Sequence, residues 1–442
     1  MTKTAAKARI LGFAEALDVV QRHATEVRAP DAERTALPAS AGRVLAEDVA
    51  ADRDQPPFDR ATRDGFAVRA EGWTAGKKLR VVGQVRAGEA WTGVTMPSGA
   101  AIEIMTGAAV PAGADAVAMV EHAELDGSEV RAAPGRSLAA GENIVPRGSE
   151  ARQGDVLLAP GTAIGAAEIA LMAACGRAEI AVRGRPTVAI VATGDELVEL
   201  EQALGENHIR NLNSYALEAL VKAAGGQARR LAIARDTLQD VRARIEEGRT
   251  ADLLLLSGGV SAGKYDLVEE ALAEFGAEFF FTGVRMQPGR PVVFGRMPRR
   301  GKKQDRTTEI LSVAQNDDLK FDDEPNRETG EWTYFFGLPG NPVSTQVTFH
   351  CLVEPLLRAM CGAAVGGPKF VQATLAEEVR GKAGLTRLLP ARLTFDLVRP
   401  EVRLVASQGS GDLAANARAN CYAVLPDGRD LQVGDVITVL LR

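Results

Sequence analysis

A glycine-rich loop at residues 257–266 has the composition of a binding site for an anion. Its glycines and serines are, in order, Ser257, Gly258, Gly259, Ser261 and Gly263. Glycines let backbone amides approach an anion with no Cβ in the way, and the serine hydroxyls add donors. Asp266, at the end of the loop, can hold a Mg²⁺ ion that neutralises a diphosphate. The loop predicts a phosphate cradle, although a plain sharp turn has the same composition.

Carboxylates follow two other predicted strands. Asp195 and Glu196 lie in Thr-Gly-Asp-Glu-Leu at 193–197, and Asp236 follows an apolar run at 231–235. The carboxyl ends of parallel strands meet at one edge of a sheet, so these carboxylates can bind a metal ion or a polar ligand beside the glycine-rich loop. For each aspartate the alternative is to cap a helix that begins there.

Two proline-glycine turns lie further along the chain, Met-Gln-Pro-Gly-Arg-Pro at 286–291 and Gly-Leu-Pro-Gly-Asn-Pro-Val-Ser at 337–344. Prolines fix φ and glycines allow tight bends, so both segments form rigid turns. Arg290 can clamp an anion with two hydrogen bonds. Composition alone fits a purely structural turn as well.

Two earlier segments, residues 56–67 and 105–116, are dense in turn formers and carboxylates. Either segment can reach across to a partner subunit. A surface hairpin explains either one equally well.

Alternating strands and helices after Pro186 position the later loops. Strands are predicted at 187–193, 230–234 and 252–256, and helices at 214–224 and 238–247. The first and last of these strands are continuously apolar, which is typical of a parallel sheet covered on both faces. The sequence therefore predicts an α/β domain with its ligand cleft at the carboxyl ends of the strands.

A chain of 442 residues is too long to fold around a single hydrophobic core, and the pattern of predicted strands, helices and turns indicates four domains. The predicted domains are a discontinuous helical unit (1–50 and 147–185), a small β-rich domain (51–146), the α/β domain (186–362) and a mostly antiparallel, barrel-like β domain (363–442). The remaining predicted elements are a helix at 166–174 and strands at 79–85, 100–105, 116–120, 370–375, 392–398 and 436–441. Residues 299–332 carry charges of both signs and are predicted to be a mobile insertion, with a nucleic-acid-binding arm as the disfavoured alternative.

Composition excludes several classes of protein. The chain is 46% apolar and 25% charged, and no run of eighteen apolar residues predicts a membrane span. Ile10, Phe13 and Leu17 have the spacing of an amphipathic helix, and acidic residues interrupt the stretch that a signal peptide would keep apolar. A net charge of −6 with scattered basic residues argues against nucleic-acid binding. The four cysteines and four histidines lack ligand spacing, which predicts buried free thiols and neither structural zinc nor disulfides.

In this order, the motifs resemble those of the MoeA family, whose relatives include the E domain of gephyrin, over nearly the whole chain. Residues 63–67 are similar to the family's Met-Asp-Gly-Tyr-Ala core, and residues 105–115 to its Met-Thr-Gly-Ala-x-Val-Pro-x-Gly-Ala-Asp pattern. The Gly-Asp-Glu-Leu, Ser-Gly-Gly-Val-Ser and Gly-Leu-Pro-Gly-Asn-Pro elements match residue for residue from Gly194, Ser257 and Gly337.

The resemblance implies a cytoplasmic, Mg²⁺-dependent homodimer of elongated subunits, whose α/β domain is similar to the MogA and MoaB proteins. Such an enzyme takes adenylylated molybdopterin, releases AMP and inserts molybdate at the dithiolene. Its functional positions fall on Asp64, Thr106, Glu196, Asp236 and Asp266, with Glu196 and Asp266 as metal ligands. Ser410, in Gly-Ser-Gly at 409–411, is a further position, and the family's anion-binding lysines align with Gln287 and Arg290.

Three departures from the family pattern concern the site. Ala61-Thr62-Arg63 replaces the more usual Ser-Ala-Met, Lys264 stands where an acidic residue is common, and Gln287 replaces a lysine. We hypothesise that Lys264 compensates for the lysine lost at 287, because both would face the same anionic ligand.

Two other functions remain as alternatives. The first is adenylyl transfer to molybdopterin, since adenylating proteins share this fold, but the extra domains speak against it. The second is a non-catalytic pterin carrier or scaffold, which the retained Asp64, Glu196 and Asp266 disfavour. The adenylyltransferase and recipient molybdoenzymes are the expected protein partners.

Overall fold

The computed structural model describes residues 9–93, 95–259, 267–300, 332–395 and 399–442. Most of the glycine-rich loop and nearly all of the predicted insertion at 299–332 lie outside these ranges. The chain forms two compact units, one of Met1–Glu33, Gly42–Val44 and Val182–Arg442, the other of Arg34–Ala41 and Leu45–Ala181.

A six-stranded mixed sheet forms the centre of the larger unit. Its strands are β1 (Thr187–Ala192), β2 (Gln227–Arg230), β3 (Leu253–Ser257), β4 (Glu278–Phe281), β5 (Val293–Pro298) and β6 (Trp332–Leu338). They lie in the order β2-β1-β3-β6-β5-β4. The first four run parallel, while β5 and β4 are antiparallel to their neighbours. The predicted, mostly parallel α/β sheet is thereby confirmed.

Helices cover both faces of this sheet. They are α1 (Phe13–Ala24), α2 (Asn213–Ala223), α3 (Leu238–Gly248), α4 (Leu267–Glu274), α5 (Pro342–Thr348) and α6 (Glu354–Met360), with a π-helical turn at Phe349–Val353. Val188 and Ile190 face one core with α1, α2, α5 and α6, while Ala189 and Val191 face the other with α3 and α4. Alternate side chains of one strand are thus buried on opposite faces, which explains why the strand is continuously apolar.

A closed five-stranded barrel follows in the same unit. Its strands are β7 (Phe370–Leu375), β8 (Thr386–Phe395), β9 (Pro400–Leu404), β10 (Cys421–Leu425) and β11 (Val436–Leu441), and helix α7 (Leu413–Arg418) precedes β10. The ring runs β8-β9-β7-β11-β10 and closes between β10 and β8. Only the β7–β9 pair is parallel, so the mostly antiparallel, barrel-like prediction is confirmed.

The smaller unit contains a second six-stranded sheet. In spatial order its strands are Ala116–Met119, Gly65–Val68, Ala100–Ile104, Lys78–Val85, Glu129–Ala132 and Ala123–Asp126. One apolar core lies on each face. The other elements of this unit are the helix Ala166–Ala174, the paired strands Val49–Ala50 with Val156–Leu158 and Arg60–Ala61 with Ile144–Val145, and the 3₁₀ turns Leu37–Ser40, Ala70–Gly72 and Val120–His122.

Several predictions about individual segments are wrong. Within residues 9–50 only Phe13–Ala24 is α-helical, and Ala32–Ala36 is a strand. The α-helix already ends at Ala24, and Pro30 disfavours helix only in the residue before it, so it keeps the segment after Ala24 from resuming as helix but does not set the end of α1. The strand predicted at 230–234 lies at Gln227–Arg230. It is an edge strand whose side chains are mostly exposed, so its residues are not apolar.

All four cysteines are buried and unpaired. Burial raises the pKa of the Cys361 and Cys421 thiols to about 11, so both are neutral at physiological pH. This agrees with the prediction of small buried residues. Among the described residues, no helix is both long and apolar enough to span a membrane.

Candidate active site

A cleft of about 1380 Å³ lies in the larger unit at the carboxyl ends of β1, β3 and β6. Parallel strands end at the same edge of the sheet, so the loops after them meet there. The turn at 286–291 and the barrel loop around Ser407 and Ser410 complete the wall. The volume exceeds that of an ordinary small-molecule pocket.

Eight of the predicted site residues line this cleft. They are Glu196, Asp236, Ser257, Gly258, Gly259, Gln287, Arg290 and Ser410. Predicted residues Ser261, Gly263, Lys264 and Asp266 lie outside the described residues, so the hypothesis about Lys264 stays a prediction. Two more, Asp64 and Thr106, lie in the smaller unit. There the Thr106 N–H donates to Asp64 Oδ1 at 2.6 Å, and this bond lowers the pKa of the Asp64 carboxyl.

Glycine is required at the start of the glycine-rich loop. Gly258 has φ +95°, and a Cβ there would lie 2.7 Å from the Thr193 carbonyl oxygen. The loops after β1 and β3 therefore approach each other as closely as backbone atoms allow. The Gly258 N–H donates to the Leu338 carbonyl at 3.1 Å, which ties the loop to β6 as well.

The loops after β1 and β2 are joined by a reciprocal pair of hydrogen bonds. The Asp195 N–H donates to Asp236 Oδ2 at 3.4 Å, and the Asp236 N–H donates to Asp195 Oδ1 at 3.3 Å. Neither aspartate caps a helix, because a strand, Leu197–Val198, follows Asp195 and the N-cap of α3 is Thr237. The helix-cap alternative is therefore wrong for both.

Two asparagines that sequence reasoning missed hold the cleft loops together. Asn213 Nδ2 donates to Ser257 Oγ at 2.9 Å and to the Gly340 carbonyl at 2.7 Å. Asn341 Nδ2 donates to Ser410 Oγ at 2.9 Å. Asn213 begins a helix, where asparagine is expected as a cap, so no local signal marks it. Asn341 lies in the turn at 337–344, to which sequence reasoning gave no role for the asparagine side chain.

Two buried polar atoms of cleft residues have no hydrogen-bond partner within the described chain, Thr193 Oγ1 and Asn213 Oδ1. Buried polar atoms are usually paired. Thr193 Oγ1 lies beside Gly258 and Gly259, so its burial results from the close packing of the loops after β1 and β3.

The charges around the cleft are nearly balanced. Among the described residues the charged side chains that line it are Arg210, Arg290, Glu196, Asp236 and Glu377. Lys382, on the loop after β7, adds a cation at the rim because its Nζ lies 3.3 Å from Gln287 Oε1. Sequence reasoning did not find Lys382, which lies outside every motif.

The carboxylates of the cleft fit Mg²⁺ in the chemistry of their donors. Mg²⁺ is commonly bound through one or two carboxylates together with waters and substrate phosphates. Glu196 and Asp236 both line the cleft and are exposed. The described residues contain no cluster of three or more metal-binding side chains, so a bound ion would draw further ligands from the substrate and water.

Models of three protein families match successive parts of the chain. "MoeA N-terminal region (domain I and II)" matches residues 11–176, "Probable molybdopterin binding domain" matches 189–359, and "MoeA C-terminal region (domain IV)" matches 372–441. A molybdopterin molybdenumtransferase of Staphylococcus aureus is 31% identical over 432 residues, which cover 96% of this chain and 94% of that protein. This chain belongs to the MoeA family.

Other MoeA relatives agree in extent and fold. A molybdopterin molybdenumtransferase of Staphylococcus epidermidis is 32% identical over 412 residues, covering 92% of this chain and 90% of that protein. Two crystal structures of MoeA from Pyrococcus horikoshii align with TM-scores of 0.68 and 0.71, at 28% and 26% identity. Each alignment covers 98% of this chain and 99% or 100% of the other.

The cleft of this MoeA chain draws on two of the three matched regions. Glu196, Ser257 and Arg290 lie in the molybdopterin-binding match, whereas Ser410 lies in the C-terminal match. Asp64 and Thr106 lie in the N-terminal match.

Proposed function

We propose that this MoeA chain is a molybdopterin molybdenumtransferase, which inserts molybdate into adenylylated molybdopterin and releases AMP. The observation that carries the proposal is the convergence of eight predicted residues on one cleft, in a chain that aligns with a molybdopterin molybdenumtransferase over 96% of its length. The chemistry is mainly positional and requires no covalent protein nucleophile.

The cleft offers separate groups for the two anionic substrates. The loop after β3 supplies the Ser257 hydroxyl to the phosphates of the ligand. Arg290, which lines the cleft, and Lys382, which contacts Gln287, attract molybdate toward the dithiolene as the adenylate leaves. The carboxylates Glu196 and Asp236 keep the net charge of the cleft low, so an anionic ligand requires a bound cation.

We propose Mg²⁺ as that cation, held by Glu196 together with Asp266. When bound, Mg²⁺ supplies charge that polarises the phosphoryl bond. Asp266→Asn is expected to abolish adenylate hydrolysis while leaving the fold intact. Near-normal AMP release from that variant would contradict the role of Asp266.

A cytoplasmic homodimer is proposed as the working form, with the adenylyltransferase and recipient molybdoenzymes as transient partners. The hydrogen-bonded Asp64 and Thr106 then belong to two neighbouring loops that reach a partner subunit. Mixing the inactive variants Asp64→Asn and Asp266→Asn tests this. Recovery of activity in the mixed dimers supports a shared site, and no recovery contradicts it.

The function is tested by incubating the protein with adenylylated molybdopterin, molybdate and Mg²⁺ and following AMP. Molybdate-dependent AMP release is expected. Pyrophosphate release from ATP and molybdopterin would instead identify an adenylyltransferase, and binding without turnover would identify a carrier.

A further inference from the structure

Asn213 is held in one orientation at the edge of the cleft. Its Nδ2 donates to the Gly340 carbonyl oxygen at 2.7 Å and to Ser257 Oγ at 2.9 Å. A carbonyl oxygen can only accept, so the amide nitrogen, and not the amide oxygen, must face Gly340. That nitrogen has therefore used both of its hydrogens.

The hydrogen bond from Asn213 limits where the Ser257 hydroxyl can point. Since Ser257 Oγ accepts from Asn213, its own hydrogen must be donated elsewhere. Within the described chain it reaches the Pro339 carbonyl oxygen at 3.5 Å, which is the outer limit for such a bond. A ligand oxygen at an ordinary hydrogen-bond distance would be a better acceptor for this hydrogen than the Pro339 carbonyl is.

The backbone beside Ser257 offers fewer donors than its glycines suggest. The Gly258 N–H is occupied by the Leu338 carbonyl. No described residue accepts from the Gly259 N–H, so among the described residues of the loop that amide and the Ser257 hydroxyl are the donors not already used within the protein. A phosphate bound beside them can accept a hydrogen bond from the hydroxyl.

Asn213 Oδ1 is buried and has no hydrogen-bond partner within the part of the chain that the structure describes. An unmet buried acceptor is unfavourable. A residue that served only to fill this space would not need an amide, so the unmet oxygen indicates that the two bonds of the nitrogen are what the site requires.

We propose that Asn213 is a positioning residue of the ligand site. By donating to Ser257 Oγ, it directs the Ser257 hydrogen onto a phosphate oxygen of the ligand. This inference rests on the proposed function, which brings a phosphate-containing ligand to the cleft. The competing role is structural, in which Asn213 merely holds the loop at Gly340.

A double-mutant cycle separates the two roles. The dissociation constant of adenylylated molybdopterin is measured without molybdate for the wild type, Asn213→Ala, Ser257→Ala and the double variant. Thr345→Val is the matched control, because it removes buried hydrogen bonds to the same loop, at the Pro339 and Asn341 carbonyls, and leaves the bond from Asn213 to Ser257 in place. Thermal unfolding identifies variants that lose their fold.

Each single alanine variant is expected to raise the dissociation constant about tenfold or more, as loss of a hydrogen bond to a charged ligand does. The double variant should match Ser257→Ala within about twofold, because Asn213 has no hydroxyl left to direct. Thr345→Val should change the constant less than Asn213→Ala does. The proposal would be overturned if the double variant raised the dissociation constant by the product of the two single effects. It would also be overturned if Thr345→Val raised the constant as much as Asn213→Ala does.

Turnover with molybdate is measured in parallel on the wild type. If the wild type binds the ligand and the effects of the two substitutions are coupled, but no AMP is released, the role of Asn213 is supported and the proposed function is contradicted. AMP release with independent effects contradicts only the role of Asn213. If the wild type does not bind the ligand, both are contradicted.

Discussion

Lys382 Nζ lies 3.3 Å from Gln287 Oε1, so the barrel brings a cation to a loop of the α/β domain. The backbone also holds Gln287 against the barrel, because Gln287 pairs with Arg387 of β8 in a short parallel ladder. Lys382 therefore provides an alternative source for the positive charge that sequence reasoning assigned to Lys264.

We predict that Lys382→Ala raises the KM for molybdate by about two- to fivefold and leaves the melting temperature unchanged, because an exposed charge contributes roughly 1 kcal/mol or less. Adding Gln287→Lys to Lys382→Ala should restore the KM, since it returns a cation to the same point. Steady-state kinetics check both variants.

Lys222→Ala is the control for the lysine prediction, because Lys222 is exposed on α2 and pairs with Glu218. If Lys264→Ala raises the KM and Lys382→Ala does not, the compensating charge comes from Lys264. An unchanged KM in both variants contradicts any compensation.

Gly258→Ala is expected to destabilise the protein and to weaken ligand binding together. The new Cβ would meet the Thr193 carbonyl at 2.7 Å, which adds a clash to the strain of about 1–3 kcal/mol for alanine at positive φ. Gly434→Ala is the matched control, since Gly434 has φ +94° and open space around it. Denaturant unfolding of the two variants should differ clearly, and equal losses would show that the loops after β1 and β3 are not in close contact.

The stability of the larger unit should depend on the ionisation of Glu354. Glu354 receives contacts from His350 Nδ1 at 2.9 Å, Arg358 Nε at 3.0 Å and Lys369 Nζ at 3.1 Å. Burial alone would raise the pKa of Glu354, but the hydrogen bond from His350 and the charge of Lys369 outweigh it and lower the pKa from 4.5 to about 2. The folded state therefore favours the ionised carboxylate.

The pKa of Glu354 is lower in the folded state than in the unfolded state. Its ionised carboxylate therefore stabilises the fold fully above pH 4.5, and this stabilisation is lost as the pH falls from 4.5 toward about 2. The shift corresponds to about 3 kcal/mol, to within a factor of two. The free energy of unfolding is measured with urea at neutral pH and at a pH between the two pKa values. On acidification, Glu354→Gln should lose less of this free energy than the wild type does. Identical pH dependence in the two proteins would contradict this assignment.

Glu196→Gln should raise the Mg²⁺ concentration needed for half-maximal AMP release by about tenfold or more, since a neutral amide oxygen attracts the cation far less than a carboxylate does. Its melting temperature should stay unchanged, because Glu196 is exposed. Glu201→Gln is the control, because Glu201 is an exposed residue shortly after the strand Leu197–Val198 and does not line the cleft. An unaltered Mg²⁺ dependence of Glu196→Gln would remove Glu196 from the metal site.

Sequence reasoning located the elements whose signal is local. The strands Phe370–Leu375 and Val436–Leu441 and the helix Ala166–Ala174 have the predicted bounds, because alternating or helical apolar spacing is visible in a short window. The loops at Glu196 and Ser257 were located for the same reason, since they follow the apolar strands β1 and β3. The boundaries of the four domains stay a prediction.

What sequence reasoning missed depends on residues distant in the chain. Asn213 reaches Ser257 across 44 positions, and Lys382 reaches Gln287 across 95. Neither pair has a pattern in a local window, because strand order and barrel closure bring the partners together. The edge strand Gln227–Arg230 was misplaced because burial on both faces, which marks its neighbours, is absent at the edge of a sheet.

The most direct test of the function is the stoichiometry of a single turnover. Excess wild-type protein is mixed with adenylylated molybdopterin, molybdate and Mg²⁺, and the AMP released and the molybdenum bound to pterin are quantified in the same sample. The account predicts one molybdenum inserted for each AMP released, and neither product when molybdate is left out. AMP release without molybdenum insertion would contradict it.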